Sequence, residues 1–217
     1  MLSPVTLGVK AREDAGAVAV GLRSVRHSGE RQPGLRRPAP GDLGLVQAFV
    51  NSRWDLERDL QDQFTTPASL AAWLAERALL EPGTRLTQAQ LTRALNVREG
   101  LRAMLFVNNG AAPDPDAIER MNKALAGPGL FARLGPDTAP DFNALRRDFN
   151  SALALIGTIV ALAQVEGRWA RLKACRGHHC GWTFYDHSRN QAGSWCAMSV
   201  CGSREKARAY RMRKRSR

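Results

Sequence analysis

The chain has 217 residues, 44% apolar and 6% aromatic, with 32 Lys and Arg, 20 Asp and Glu, and four cysteines. This composition excludes collagen, low-complexity polymers and disulfide-dense toxins, and it leaves material for a real core within one or two domains. The net charge of +12 is uneven, being +4 over residues 1–41, −3 over residues 42–167 and +11 over residues 168–217, so the C-terminal segment is suited to a polyanion.

No run reaches the roughly 18 uninterrupted apolar residues of a membrane span. The nearest, residues 151–165, is broken by Gly157, Thr158 and Gln164 and reads as a core helix, so no membrane partner is expected. The short apolar run at residues 15–22 directly follows Glu13 and Asp14 and precedes no A-x-A site. That argues against secretion and places the chain in the cytoplasm.

Residues 1–41 mix Gly, Pro and Arg without helical or strand periodicity. Such a stretch buries too little surface to offset its ordering entropy and reads as a disordered basic leader. From Asp42 the pattern turns helical. Leu43, Val46, Phe49 and Val50 share a face, and Thr66 with Pro67 opens a helix carrying Leu70, Trp73, Leu74 and Ala78. Thr87 and Gln90 form a capping box before Leu91, Leu95, Leu101, Leu105 and Phe106, and Asp114-Pro115 starts a helix with Ile118, Met121 and Leu125. Glycines and prolines then break the pattern around residues 130–134, which suit a short strand or hairpin arm. Asp141 is expected to cap a long helix with Leu145, Phe149, Leu153, Ile156, Val160 and Ala163 on its core side, ending near Gly167. Residues 42–167 therefore read as an all-helical bundle.

Within it, Asn51, Arg53 and Trp54 are the candidates for a ligand pocket, set against the plainer reading of a loop aromatic capping the core. The bundle has no glycine-rich phosphate loop, G-x-S-x-G or H-E-x-x-H, and none of the four histidines lies in it. Catalytic residues are therefore not assigned, although carboxylates could still supply acid–base chemistry.

All four cysteines fall within 27 residues, as Cys175-x4-Cys180 and Cys196-x4-Cys201. Two short-spaced pairs divided by a longer loop suit a tetrahedral four-thiolate site for one zinc ion per chain. Two disulfides would need an oxidising compartment. Gly181 and Gly202 follow the pairs, so the two halves look alike and their backbone N–H groups are expected to fold toward the sulfurs. His178 and His179 are left as spare, exposed side chains. Trp182, Phe184, Tyr185 and Trp195 supply apolar mass, and residues 181–185 have strand propensity.

After Cys201, Ser203 can cap a helix in which Arg204, Arg208, Arg211 and Arg215 line one face. Residues 204–217 hold eight cations and one anion. Like charges at this density repel unless phosphates neutralise them.

The run Cys175…Cys180-Gly181-Trp182-Thr183-Phe184-Tyr185-Asp186-His187-Ser188-Arg189-Asn190…Trp195-Cys196-Ala197-Met198-Ser199-Val200-Cys201-Gly202-Ser203-Arg204 resembles the CGNR zinc finger found at the C-terminus of bacterial stress-induced transcriptional regulators. Residues 42 to about 165, with Phe49-Val50-Asn51 and Leu70-Ala71-Ala72-Trp73-Leu74, are similar to the helical ABATE domain that precedes this finger. One departure is Ser203, which stands where the motif has asparagine and loses an amide that could contact a base or a neighbouring turn. The resemblance implies a cytoplasmic bacterial regulator with a DNA-binding finger and a helical domain that senses a ligand.

The expected fold is mainly α, with a leader over 1–41, a helical domain over 42–167, and a zinc finger with a basic C-terminal helix over 168–217. The first functional reading is a zinc-dependent DNA-binding transcriptional regulator. Arg189, Asn190, Arg204, Lys206, Arg208, Arg211 and Arg215 would meet DNA, and the bundle would sense a small-molecule effector or form a homodimer. The alternatives are a small-molecule-binding protein or enzyme with its pocket in the bundle, and an RNA-binding protein.

Overall fold

The computed structural model describes residues 20–21, 32–55, 62–127, 131–134, 140–144 and 146–215. Strand β1 (Val20–Gly21) comes first. Helix α1 (Leu43–Val50) is apolar on nearly every side and is buried on every side, with Leu43, Leu45, Val46, Phe49 and Val50 fully enclosed. Helix α2 (Pro67–Glu76) starts at Thr66, whose Oγ1 accepts from the Ser69 N–H at 3.1 Å, and Ser69 Oγ accepts in return from the Thr66 N–H. It ends sooner than the apolar spacing suggests. Ala78 has φ +58, a left-handed position that terminates the helix and turns Leu79 and Leu80 into the core. Phe49, Phe64 and Trp73 form a tilted and edge-to-face trio with centroids 5.5–5.7 Å apart.

Helix α3 (Gln88–Val107) opens on the Thr87–Gln90 capping box, and α4 (Pro115–Leu125) on Asp114, whose carboxylate accepts from the Ala117 N–H. These two helices pack closely because of Gly100. A Cβ there would lie 2.4 Å from Met121 Cβ, so any side chain would force them apart.

Two expectations fail after α4. Asp141 does not cap a helix. It lies in β3 (Pro140–Ala144), which pairs antiparallel with β2 (Phe131–Leu134) on one side and with β1 on the other. Pro140 has no N–H to start a helical ladder but is tolerated as the first residue of a strand. The long helix α5 (Phe149–Val165) is capped instead by Asp148, whose carboxylate accepts from the Ser151 N–H at 2.8 Å. Leu130 and Leu145 lie outside the described residues. The middle region is thus helical with a three-stranded sheet rather than all-helical. No helix among the described residues is long and apolar enough to cross a membrane.

Past α5 the chain enters a hairpin of β4 (Leu172–Ala174) and β5 (Thr183–Tyr185), paired Leu172 to Tyr185 and Ala174 to Thr183. Leu172, Ala174 and Tyr185 are buried in the same core as α1, α3 and α5. Asn108 and Asn109 at the end of α3 donate to the carbonyls of Leu172 and Ala174 at 2.9 and 2.7 Å.

Residues 32–41, which composition assigns to the basic leader, are packed here as a strap. A 3-10 turn, Pro33–Leu35, brings Gly34 so near Ala197 that an added Cβ would sit 2.8 Å from its side chain. Gln32 Oε1 accepts from Gln47 Nε2 at 2.9 Å and from Trp182 Nε1 at 3.0 Å. Arg36 donates to the carbonyls of Cys196, Trp195 and Tyr185 and lies 4.7 Å over the Phe184 ring. The strap builds no core of its own. It is held by the Gln47 and Trp182 side chains, by three carbonyls of the C-terminal region and by the Phe184 ring.

Candidate metal centre and basic helix

The four cysteines are brought together by two different local devices. The first pair sits on the loop between β4 and β5. Cys175 N–H donates to Trp182 O at 2.8 Å and Cys180 N–H to Gly177 O at 2.9 Å, and the loop turns back through left-handed His179 and Gly181, at φ +58 and +60. Gly177 is required for a different reason, since a Cβ there would lie 3.0 Å from Cys201 Sγ.

The second pair, by contrast, lies at a helix entrance. From Ala197, one wide turn, Met198–Gly202, runs on without a break into α6 (Ser203–Arg215). Ala197 O accepts from the N–H groups of both Cys201 and Gly202. A Cβ on Gly202 would lie 2.3 Å from Met198 Sδ. The two halves are therefore not alike. The backbone N–H groups shown near the sulfur of Cys175 come from Gly177 and Cys196, at 3.4 and 3.2 Å, and not from the glycines that follow each pair. Ser203 does not cap the helix either. Its hydroxyl donates to Met198 O at 3.0 Å and fastens the wide turn from inside a continuous helix.

All four Sγ atoms lie within 4.8 Å of one another. Cys180 and Cys196 sulfurs are 3.9 Å apart and those of Cys196 and Cys201 3.6 Å. A tetrahedral ion with bonds of about 2.3 Å to sulfur needs sulfurs about 3.8 Å apart, so the cage has zinc dimensions. Its acid–base chemistry agrees. The Cys175 thiol is held at about 2, chiefly by hydrogen bonds from the thiols of Cys180 and Cys196. Cys180 and Cys196 are pushed far up, first because each shares its proton with the Cys175 thiolate. Burial and the charge on Cys175 push Cys201 up as well. Four thiols in one cage cannot all ionise against one another, and a dication removes that obstacle. His178 and His179 are exposed and packed edge to face, centroids 3.7 Å apart, outside the sulfur cage.

Guanidinium groups from outside the cysteine segment hold both halves. Arg102 of α3, 3% exposed, donates to the carbonyls of Gly181, Val50 and Arg53, each at 2.7 Å, and pairs with Glu99 at 3.0 Å. Arg36 of the strap grips the other half through Trp195 and Cys196. At the C-terminal cap of α1, Asn51 accepts from the Thr183 N–H at 2.7 Å and donates to its carbonyl at 2.9 Å, and Gln47 within the helix donates to the same carbonyl.

Of the three candidate pocket residues, Asn51 is thus buried and engaged with β5, and Arg53 faces Glu99 at 3.7 Å. Trp54 is 37% exposed, meets Trp182 edge to face at 5.6 Å and lines a cleft of about 790 Å³ beside the cysteines. The sequence reading missed Gln32, Arg36, Gln47, Arg102, Asn108 and Asn109. For Gln47 and Arg102 the available signal was a polar residue standing where helical periodicity calls for an apolar one.

The loop from Asp186 to Trp195 carries Arg189 and Asn190, both exposed. Asp186 is fully buried and organises it, accepting from the N–H groups of Ser188 and Gly193, from Ser188 Oγ and from Lys173 Nζ. Burial opposes its charge, but the bonds from Ser188 and Lys173 outweigh burial and hold its pKa at about 2. Because the folded value lies below the unfolded one, the stabilisation is complete above about pH 4 and is lost as pH falls toward 2. It amounts to about 2 kcal/mol, and Asp186→Asn should cost at least that at pH 7, since Lys173 is left buried without its anion. Urea unfolding of the zinc-loaded chain measures it, and a loss below about 0.5 kcal/mol would contradict this account.

Helix α6 has no buried residue. Arg204, Lys206, Arg208, Arg211 and Arg215 are all exposed.

The comparisons with known proteins agree with this geometry. The CGNR zinc finger model matches residues 171–214, the segment that holds the four cysteines and nearly all of α6. The ABATE model matches residues 43–172, well over half of the chain. No curated protein matches the chain. With one zinc-sized thiolate cage in the first match and the helical core in the second, the chain belongs to the ABATE family, described as "Putative stress-induced transcription regulator", and carries a CGNR zinc finger.

Proposed function

We propose that the chain is a zinc-dependent, DNA-binding regulator of transcription. The observation that carries this reading is α6, a 13-residue helix with no buried residue that runs on directly from zinc ligand Cys201. Glu205 ties the first turn of α6 to the cysteine loop by accepting from the His178 N–H at 2.9 Å; the rest of the helix is exposed, and its Arg at 204, 208, 211 and 215 repel one another until an anionic partner neutralises them. At about 1.5 Å per residue it extends about 20 Å, long enough to cross the major groove of duplex DNA, whereas the deep, narrow groove of A-form RNA does not admit a helix. The Arg189–Asn190 loop, fixed by Asp186, is a second contact. The bundle serves as the effector-sensing or dimerising module, joined to the finger through Asn51, Arg102 and Asn109.

The test is electrostatic. With about five to six of the eight cations in residues 204–217 on phosphates, log K should fall with log salt at a slope of about −5. Truncation after Arg204 removes no core residue, should flatten most of that slope and should weaken all duplexes alike. Replacing Arg189 or Arg204 should instead reduce discrimination between sites by about 1–3 kcal/mol if either meets a guanine edge. An unchanged salt slope in the truncated chain would exclude α6 as the DNA-binding element.

A further inference from the structure

The four sulfurs of the cage are not equivalent. Cys175, Cys196 and Cys201 are 0%, 2% and 5% exposed, while Cys180 is half-buried. Cys180 lies on the wall of the cleft between the bundle and the finger, together with Trp54, Trp182, His179 and Arg204; Cys196 and Cys201 reach the same wall but are almost wholly covered, so Cys180 offers the most open sulfur there. The sulfurs also differ in backbone protection. Cys175 Sγ accepts from two N–H groups, of Gly177 and Cys196. For Cys180 the backbone donor is Trp182. Hydrogen bonds to a thiolate lower its nucleophilicity, and burial denies a reagent its approach. Cys180 is therefore the sulfur on which a small electrophile entering this cleft would act, and Cys196 stands 3.9 Å behind it.

We propose that Cys180 is an oxidation site, that its oxidant is a small peroxide, and that Cys196 is its resolving partner. In the first step the Cys180 thiolate attacks one peroxide oxygen and the O–O bond breaks. The sulfur becomes a sulfenic acid and is oxidised by two electrons, and hydroxide or alkoxide leaves. In the second step the Cys196 thiolate attacks the Cys180 sulfur and displaces hydroxide, giving one disulfide. Two thiolates and one hydrogen peroxide thus yield one disulfide and two hydroxides. The sulfurs must close from 3.9 Å to about 2.05 Å, and half of the ligand set is lost. Cys201 then no longer fixes the start of α6. The proposal rests on the zinc centre and not on the DNA-binding reading, and its primary readouts involve no DNA.

The test uses the full chain, with its zinc content measured first. It is titrated with hydrogen peroxide while a chromophoric chelator reports released zinc, and samples are alkylated and peptide-mapped over time. The expected result is that Cys180 loses alkylation first, one zinc leaves per Cys180–Cys196 disulfide, and reductant with zinc restores the starting state. Earlier or equal oxidation of Cys175 or Cys201 would overturn the proposal, as would zinc retained after Cys180 is oxidised. The route is tested separately by Trp54→Ala, a change to a 37% exposed residue on the cleft wall. It should speed Cys180 oxidation several-fold, more for a bulky organic peroxide than for hydrogen peroxide. An unchanged rate for both would show that the cleft is not the path.

Discussion

Chelating the metal, or replacing Cys175 and Cys196 with serine, is expected to unfold residues 172–202 and leave α6 without a fixed start. Zinc contributes about 10–16 kcal/mol to the folding of comparable thiolate minidomains, whereas an entire domain is stable by only about 5–15 kcal/mol. The apolar material around the cage, Phe184 with partly buried Trp182, Trp195 and Val200, is too little to replace it. The damage should not stop at the finger. Leu172, Ala174 and Tyr185 belong to the main core, and Arg102, Asn108 and Asn109 would lose their acceptors in the finger. Hydrogen exchange with and without chelator should therefore show lost protection across β4, β5 and the C-terminal turns of α1 and α3, with α2, α4 and α5 retained. Unchanged protection of residues 172–202 in zinc-free protein would show that packing alone holds the finger.

The largest effect from a residue outside the cage should come from Arg102→Met. The guanidinium meets three carbonyls and Glu99 from a position 3% exposed. Burial pulls its pKa below the ordinary arginine value, and Glu99 partly offsets this. Glu99 is held below the usual carboxylate range because the charges of Arg102 and Arg98 outweigh its burial. Removing the Arg102 guanidinium leaves three buried carbonyl acceptors unpaired, while Glu99, 35% exposed, keeps Arg98 at 2.9 Å, at a cost of about 3–5 kcal/mol. Thermal unfolding should drop by about 10 °C. Arg102→Lys should not restore it, because a single ammonium cannot reach acceptors spread in a plane. A fall of 2 °C or less would mean that water replaces these bonds.

The metal cage and most helix boundaries were legible in the sequence because they are written in local code. Cysteine spacing, Thr66 with Pro67, and the Thr87–Gln90 box each act within a few residues. The errors lie where local code competes with distant pairing. Asp141 looks like a cap, yet β2 and β1 supply ladder partners that a periodicity reading cannot see. Residues 32–41 have no periodicity because their partners are distant carbonyls and side chains, Gln47 and Trp182 among them, which no local pattern announces. Arg98 and Arg102 occupy the buried stripe of α3 beside Leu101 and Leu105, where charge looks like a solvated face until Asp62 and the carbonyls of Val50 and Gly181 come into place.

The strap has a consequence for the order in which the protein is assembled. Arg36 and the Cys196 carbonyl it grips are 160 residues apart. At a synthesis rate of about 5–20 residues per second, roughly 8–30 s pass between the emergence of the two. During that interval Gln32 and Ala39 already have Gln47 of α1 to bind, while Arg36 has no finger carbonyl to meet. The Arg36 contact therefore closes only after the second cysteine pair has been made, long after the strap itself has been translated.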